Sequence, residues 1–269
     1  MTVFQAARRA LAAAGLAAAA SLGTGAVAAD MTVRQVTEAL VRATTETPAD
    51  FSGKNLAGLD LSDLDFHGAN LAGADLSAAD LSDADFSRSN LVGARLDRAV
   101  VIHTNFTGAN LSHASLTFLA TSTGLELRDG EGPNFTGADL SETRIFARLS
   151  RSDLHGARLV NARLGANVRT PQTGIFFRTE LSGCNLAGAD LAGADLSGAL
   201  LSFADLSGAV LTGADLERAD LSHANLMQAD LTAAILTRAD LDEAILRDAR
   251  GLERSVGLDA AQNRDRTIE

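Results

Sequence analysis

The chain has 269 residues, a formal net charge of −11, eleven phenylalanines and neither tryptophan nor tyrosine. So few aromatics leave little surface for stacking bases or lining an aromatic ligand pocket, and an acidic chain lacks the basic footprint of ordinary nucleic-acid binding. One cysteine, Cys184, rules out an internal disulfide. The first charges are Arg8 and Arg9, followed by the apolar run ALAAAGLAAAASLG and the small-residue ending AVAAD. That order reads as a secretory signal peptide over residues 1–29, cleaved after Ala28 or Ala29. The run is short for a membrane span, so the mature chain is expected to have none and to be exported, periplasmic or secreted. Residues 30–50 read as a helical cap. Thr32-x-x-Gln35 is a capping box, Val33, Val36, Leu40 and Ala43 form an apolar stripe, and Thr47-Pro48 ends the helix.

From residue 51 to 250 the apolar residues return every five positions. Leu56, Leu61, Phe66, Leu71, Leu76, Leu81, Phe86, Leu91, Leu96, Val101, Phe106, Leu111 and Leu116 keep this step without a slip, as does the run from Leu181 to Leu246. A step of five fits neither a helix nor a continuous strand. In LAGADLAGADLSGA (186–199), alanine precedes leucine by two and aspartate lies between them. Extended Ala-Asp-Leu points in, out, in, and the next two small or polar residues make a corner. Four corners bring the chain back one layer higher, about 4.8 Å up, as a quadrilateral all-β solenoid with leucine inside. Between Phe135 and Leu164 one step shrinks to four. Residues 117–134 and 165–175 are irregular and read as degenerate bulged coils, with protruding loops as the alternative; Leu125 and Phe176 fall in register with the repeats after them. Residues 251–269 read as a C-terminal cap or tail.

These units resemble the pentapeptide-repeat family, whose repeats run roughly A-(D/N)-L-x-x. The resemblance covers about residues 51–250 and implies a right-handed quadrilateral β-helix. It says little of function, since most such proteins are scaffolds or binding surfaces, while one branch protects DNA gyrase by imitating duplex DNA.

Residues one coil apart lie twenty apart in sequence, which allows sites to be sought in the sequence itself. His67, His103, His113, His155 and His223 do not converge, and no nucleophile–histidine pair, phosphate loop or paired-cysteine spacing is present, so neither enzyme, cofactor nor metal site is expected. Asn70, Asn90 and Asn110 are placed to form an amide ladder, and several aspartates stack. Arg144, Arg148, Arg151, Arg158, Arg163, Arg169 and Arg178 cluster in the middle of an otherwise acidic chain. They form either a salt-bridged belt or a patch for an anionic partner. With Ile175, Phe177, Leu200 and Phe203, expected to face outward nearby, Arg144, Arg148, Arg158, Arg163, Arg169 and Arg178 make up a candidate interaction patch. The functional expectation is an exported, non-enzymatic scaffold or protein-interaction solenoid of unknown partner, with no nucleic acid bound. The alternative is a gyrase-protecting DNA mimic, conferring quinolone resistance through topoisomerase binding.

Overall fold

The computed structural model describes residues 28–122, 130–165, 168–169 and 176–268, with backbone pairing alone for 168–169 and 176–177. The expected signal segment, up to residue 27, and Leu125 lie outside these residues.

The chain is a repeat β-helix. Parallel bridges join residues twenty apart, and a new bridge begins every five residues: Asp60↔Asp80, Asp65↔Asp85, Asn70↔Asn90, Asp75↔Arg95. Four columns of bridge residues therefore run along the molecule. They are named by one member each, as the Leu200, Asn225, Val210 and Asp215 faces. Each coil hangs from the next by backbone hydrogen bonds. Leu206 N–H donates to Asn225 O at 2.7 Å, and Asn225 N–H donates back to Ala204 O at 2.9 Å.

Physical chemistry assigns each motif position its place. Leucine and the alanine two before it are buried throughout, as Leu206 and Ala204 illustrate at 0% exposure, and each buried leucine contributes roughly 1.5–3 kcal/mol. The aspartate or asparagine between them closes the corner, because its Oδ1 accepts the backbone N–H two residues on. Asp205 accepts from Ser207 and Asn225 from Met227, at 3.0 and 3.1 Å. Either residue serves because both present that oxygen. Most corners then close through a bond such as Ala209 N–H to Leu206 O, 3.0 Å, with a positive φ at the third residue, as in a type II turn.

Phenylalanine replaces leucine in one column. The rings of Phe66 and Phe86 stack at 4.5 Å, Phe86 and Phe106 at 5.4 Å, and Phe106 and Phe135 at 5.0 Å. Polar residues at alanine positions bond inside the wall: Thr104 and Thr179 donate to the carbonyls of Leu81 and Ile145.

The bridge spacing shows where the repeat deviates. Asn105↔Asn134 spans 29 residues, Asn134↔Asp153 spans 19, and Arg148↔Glu180 spans 32. The first long coil keeps Ala120 bridged to Val100, and β1 (Ser115–Thr117) pairs in parallel with β2 (Arg144–Phe146). In the second, β3 (Val168–Arg169) pairs antiparallel with β4 (Phe176–Phe177). That direction differs from the parallel bridges of the coil.

Ahead of the first coil, α1 (Val33–Arg42) starts at the Thr32–Gln35 capping box and buries Val36 against the core. Asp30 pairs with Asn55, N–H to O at 2.8 Å. At the other end the repeat becomes six residues long, so the bridges Ile235↔Val256, Asp240↔Gln262 and Ile245↔Ile268 span 21, 22 and 23. Each longer unit holds a 3-10 turn, at Leu252–Arg254, Leu258–Ala260 and Arg264–Arg266. Gly251 opens the first at φ 74°, where a Cβ would come within 2.5 Å of the Thr232 backbone nitrogen. Among the described residues no helix is long and apolar enough to cross a membrane.

Candidate interaction surface

The bridge columns place each arginine and apolar residue of the candidate patch. Arg148, Glu180 and Leu200 are consecutive members of the Leu200 face. Arg144 and Arg163 bridge one another on the adjoining Asp215 face, and Arg178 stands at the corner between the two, two residues before Glu180. Phe203 lies at the other edge of the Leu200 face, at the corner shared with the Asn225 face. Arg144, Arg148, Arg163, Arg178, Leu200 and Phe203 thus share one sector of the solenoid. Arg158 does not: it bridges Asp139 and Asp190 on the Val210 face, opposite Leu200. Ile175 lies outside the described residues, and Arg169 and Phe177 are placed by backbone pairing alone.

Local electrostatics divide these arginines. Arg148 Nε meets Glu180 Oε2 at 2.9 Å, and Arg158 Nη1 meets Asp139 Oδ2 at 3.4 Å. Burial pushes the Asp139 carboxyl up, but the Ser141 turn bonds and the Arg158 charge outweigh it and hold the group below its ordinary value. Arg144 donates from Nη2 to Ser115 Oγ at 3.2 Å. The middle of the chain is therefore partly a salt-bridged belt. Exposed pairs of this kind are worth about 0–1 kcal/mol each.

The apolar part stands out. Phe203 is 65% exposed and Leu200 is half-buried. Phe203 has φ 59°, a left-handed conformation costing an L-residue roughly 1–2 kcal/mol. Its ring stacks on His223, centroids 4.6 Å apart and planes 10° apart. His223 Nδ1 lies 3.3 Å from Glu243 Oε2, and Glu243 Oε1 lies 2.8 Å from Arg266 Nη2. One corner thus carries an aromatic, imidazole, carboxylate and guanidinium column. Twenty-residue spacing relates Phe203, His223 and Glu243, so the first three members are readable by that offset. Arg266 is not, because the last coil changes length. The same offset pairs His103 with Asp83 at 3.1 Å and His67 Nδ1 with Ser87 Oγ at 2.8 Å.

Other candidate chemistry is structural. Cys184 is buried, and burial pushes its thiol up to about 12, so it stays protonated and donates to Leu149 O at 2.9 Å. It occupies the alanine position that Thr104 and Thr179 fill elsewhere. Asn90 Nδ2 donates to Asn70 Oδ1 at 3.0 Å and Asn70 Nδ2 to Asp50 Oδ1 at 3.0 Å. The amide ladder thus runs from Asp50 to Asn90. Asn110 keeps its backbone bridge, and its Oδ1 serves its own corner by accepting from Ser112 N–H. Among the described residues no three His, Cys, Asp or Glu side chains are grouped to hold a metal ion.

Comparison with known proteins matches the architecture to a family. The profile described as pentapeptide repeats matches residues 49–77, 79–117, 175–213 and 209–248, more than half of the chain, and passes over the irregular middle. No curated protein matches the chain. Among solved structures, HetL, a pentapeptide repeat protein involved in heterocyst differentiation regulation from the cyanobacterium Nostoc sp. strain PCC 7120, is 28% identical. That match covers 89% of this chain and 100% of HetL, with a TM-score of 0.44. QnrB1, a plasmid-mediated fluoroquinolone resistance protein, is 20% identical over 75% of this chain and 84% of its own, with a TM-score of 0.29. A pentapeptide repeat protein from the Arabidopsis thaliana thylakoid lumen is 27% identical over 51% of this chain and 67% of its own, with a TM-score of 0.21.

Proposed function

The chain belongs to the pentapeptide-repeat family, and from that premise we propose that it is an exported, non-enzymatic solenoid that docks a protein partner on its Leu200 face. In this reading the coil is a right-handed quadrilateral. Residues 1–29 are removed on export, and segments 30–50 and 251–269 cover the ends of the solenoid at residues 51–250. The supporting observation is Phe203: an aromatic 65% exposed, beside Leu200 and in one sector with Arg178. An exposed aromatic beside apolar surface and an arginine is the composition of many interaction sites.

The test is affinity capture from an envelope extract with the mature chain and with a variant carrying Arg178→Glu, Leu200→Asp and Phe203→Ser. An unchanged melting temperature with loss of the captured protein supports docking on this face. Capture of the same protein by the variant overturns it. Sequencing the N-terminus of the cell-purified protein tests export: a start at Ala29 or Asp30 is expected, and a full-length cytosolic chain contradicts it.

One observation favours a second reading on a different face. From Asp65 to Asn225 every bridge position of the Asn225 face is aspartate or asparagine, whereas arginines interrupt the other three faces. A DNA mimic of the gyrase-protecting kind would use that face. A gyrase supercoiling assay with the purified chain decides it, and supercoiling unaffected by the chain eliminates this reading.

A further inference from the structure

At the corner between the Asp215 and Leu200 faces, three arginines line one cleft. Arg178, Arg218 and Arg238, with Ala219, Asp220, Asp240 and Gln262, line an open depression of about 480 Å³. Arg218 and Arg238 occupy corner positions of consecutive coils, with φ 57° and 60°. Their backbones thus lie about 4.8 Å apart along the solenoid, which sets two like charges on one corner.

Elsewhere in this protein several arginines fold onto carboxylates of adjoining coils. Arg95 lies 3.5 Å from Asp75, Arg158 3.4 Å from Asp139, and Arg148 2.9 Å from Glu180. In the cleft this does not happen. Arg218 leans on its neighbour Glu217 at 3.5 Å, an exposed contact, and among the described residues neither Arg178 nor Arg238 has a partner. Each of the two carboxylates serves its own corner through Oδ1. Asp220 Oδ1 accepts from Ser222 N–H at 3.0 Å and from Ser222 Oγ–H at 2.6 Å. Asp240 Oδ1 accepts from Asp242 N–H at 3.1 Å and from Asn263 Nδ2 at 2.7 Å. Their Oδ2 atoms have no hydrogen-bond donor among the described residues.

We propose that this cleft binds a phosphate monoester of a polyol. Guanidinium forks match phosphate oxygens bidentately. The Oδ2 atoms of Asp220 and Asp240 and the Gln262 amide, beside them, suit hydroxyl groups. A bare phosphate uses only the arginine side. The volume lies within the range of small-molecule sites, so it accommodates both parts. The cleft shares Arg178 with the proposed docking face but needs no protein partner.

Calorimetric titration of the purified chain with glycerol 3-phosphate, inorganic phosphate and glycerol tests this. Glycerol 3-phosphate is expected to bind more tightly than inorganic phosphate, and glycerol not measurably. Arg238→Gln and Arg218→Gln should each weaken glycerol 3-phosphate by about tenfold or more, and Asp240→Asn should erase its advantage over inorganic phosphate. Arg88→Gln, at a remote corner, should change nothing. All four positions are at the surface, and unchanged melting curves verify folding. Absence of glycerol 3-phosphate binding, or binding indifferent to both cleft arginine substitutions, overturns the proposal. Equal affinity for phosphate and glycerol 3-phosphate overturns the polyol part. Capture of a protein by the docking face is unaffected by any of these results.

Discussion

Swapping glycine and alanine at two corners tests the corner geometry with opposite signs. Ala78 has φ 56°, and Gly188 has φ 65° at an equivalent corner position. A Cβ built at Gly188 meets no atom within 4 Å, so Gly188→Ala changes backbone preference without a clash. A left-handed L-residue costs roughly 1–2 kcal/mol. Against this, glycine carries about 0.4–1 kcal/mol more unfolded-state entropy to lose. The difference leaves Gly188→Ala destabilised by about 0.5–1 kcal/mol and Ala78→Gly stabilised by a similar amount. For a chain of this size such a change moves the melting temperature by about 1–4 °C. Solenoids need not unfold in one step. Scanning calorimetry should therefore be paired with hydrogen exchange at residues 76–80 and 186–190. Stabilisation by Gly188→Ala would refute the reasoning, since alanine gains on glycine only where the corner is right-handed.

Three further outcomes rest on the coil. Leu206→Ala should cost about 2–5 kcal/mol in urea unfolding, while Val210→Ala, at a position 37% exposed, should cost under about 1 kcal/mol. Asp205→Asn should be nearly neutral because it keeps the Oδ1 that accepts from Ser207 N–H and Asn225 Nδ2. Asp205→Ala loses both bonds and should cost about 1–3 kcal/mol. The carboxyls of Asp50, Asp75, Asp139 and Asp230 lie below their ordinary values in the folded chain. The Ser52 bonds hold Asp50 down and the Thr232 bonds hold Asp230 down. At Asp75 and Asp139 burial pushes upward but is outweighed by Ser77 with Arg95 and by Ser141 with Arg158. A depressed folded value means that the stabilisation is present above the unfolded value near 4 and is lost as pH falls through the folded values. Melting temperature should therefore hold above about pH 4 and drop below it, with NMR midpoints of these carboxyls under their unfolded values. Midpoints above those values would contradict the turn bonding.

The five-residue step carried the coil, because inward leucine and its alanine partner tolerate no other period over so many units. It also carried neighbour relations by twenty, including Glu180 under Leu200 and Asp220 under Asp240. Wherever a coil changes length the offset fails. Coils of 29, 19 and 32 residues decide which face each middle arginine reaches; the four-residue step gives the 19, but nothing in the local composition gives the two long lengths. The 32-residue coil brings Arg148 to the face of Glu180 and Leu200, and Arg158, ten residues on, then lies opposite by the five-residue step. The six-residue units at the end hide for the same reason: Val256, Gln262 and Ile268 abandon the leucine step while keeping the ladder. The cleft at Arg178, Arg218 and Arg238 was half legible. Forty and twenty residues separate its arginines, but two of them lie in the acidic run, outside the basic middle stretch that composition singles out.

Hydroxyl-radical footprinting of the mature chain, alone and bound to the captured partner, tests the docking proposal most directly. Phe203 and Val210 are both exposed, at 65% and 37%, one at the edge of the Leu200 face and the other on the face opposite it. Docking on the Leu200 face predicts that oxidation of Phe203 falls severalfold in the complex while oxidation of Val210 is unchanged. Protection of Val210 with Phe203 still fully oxidised would contradict it.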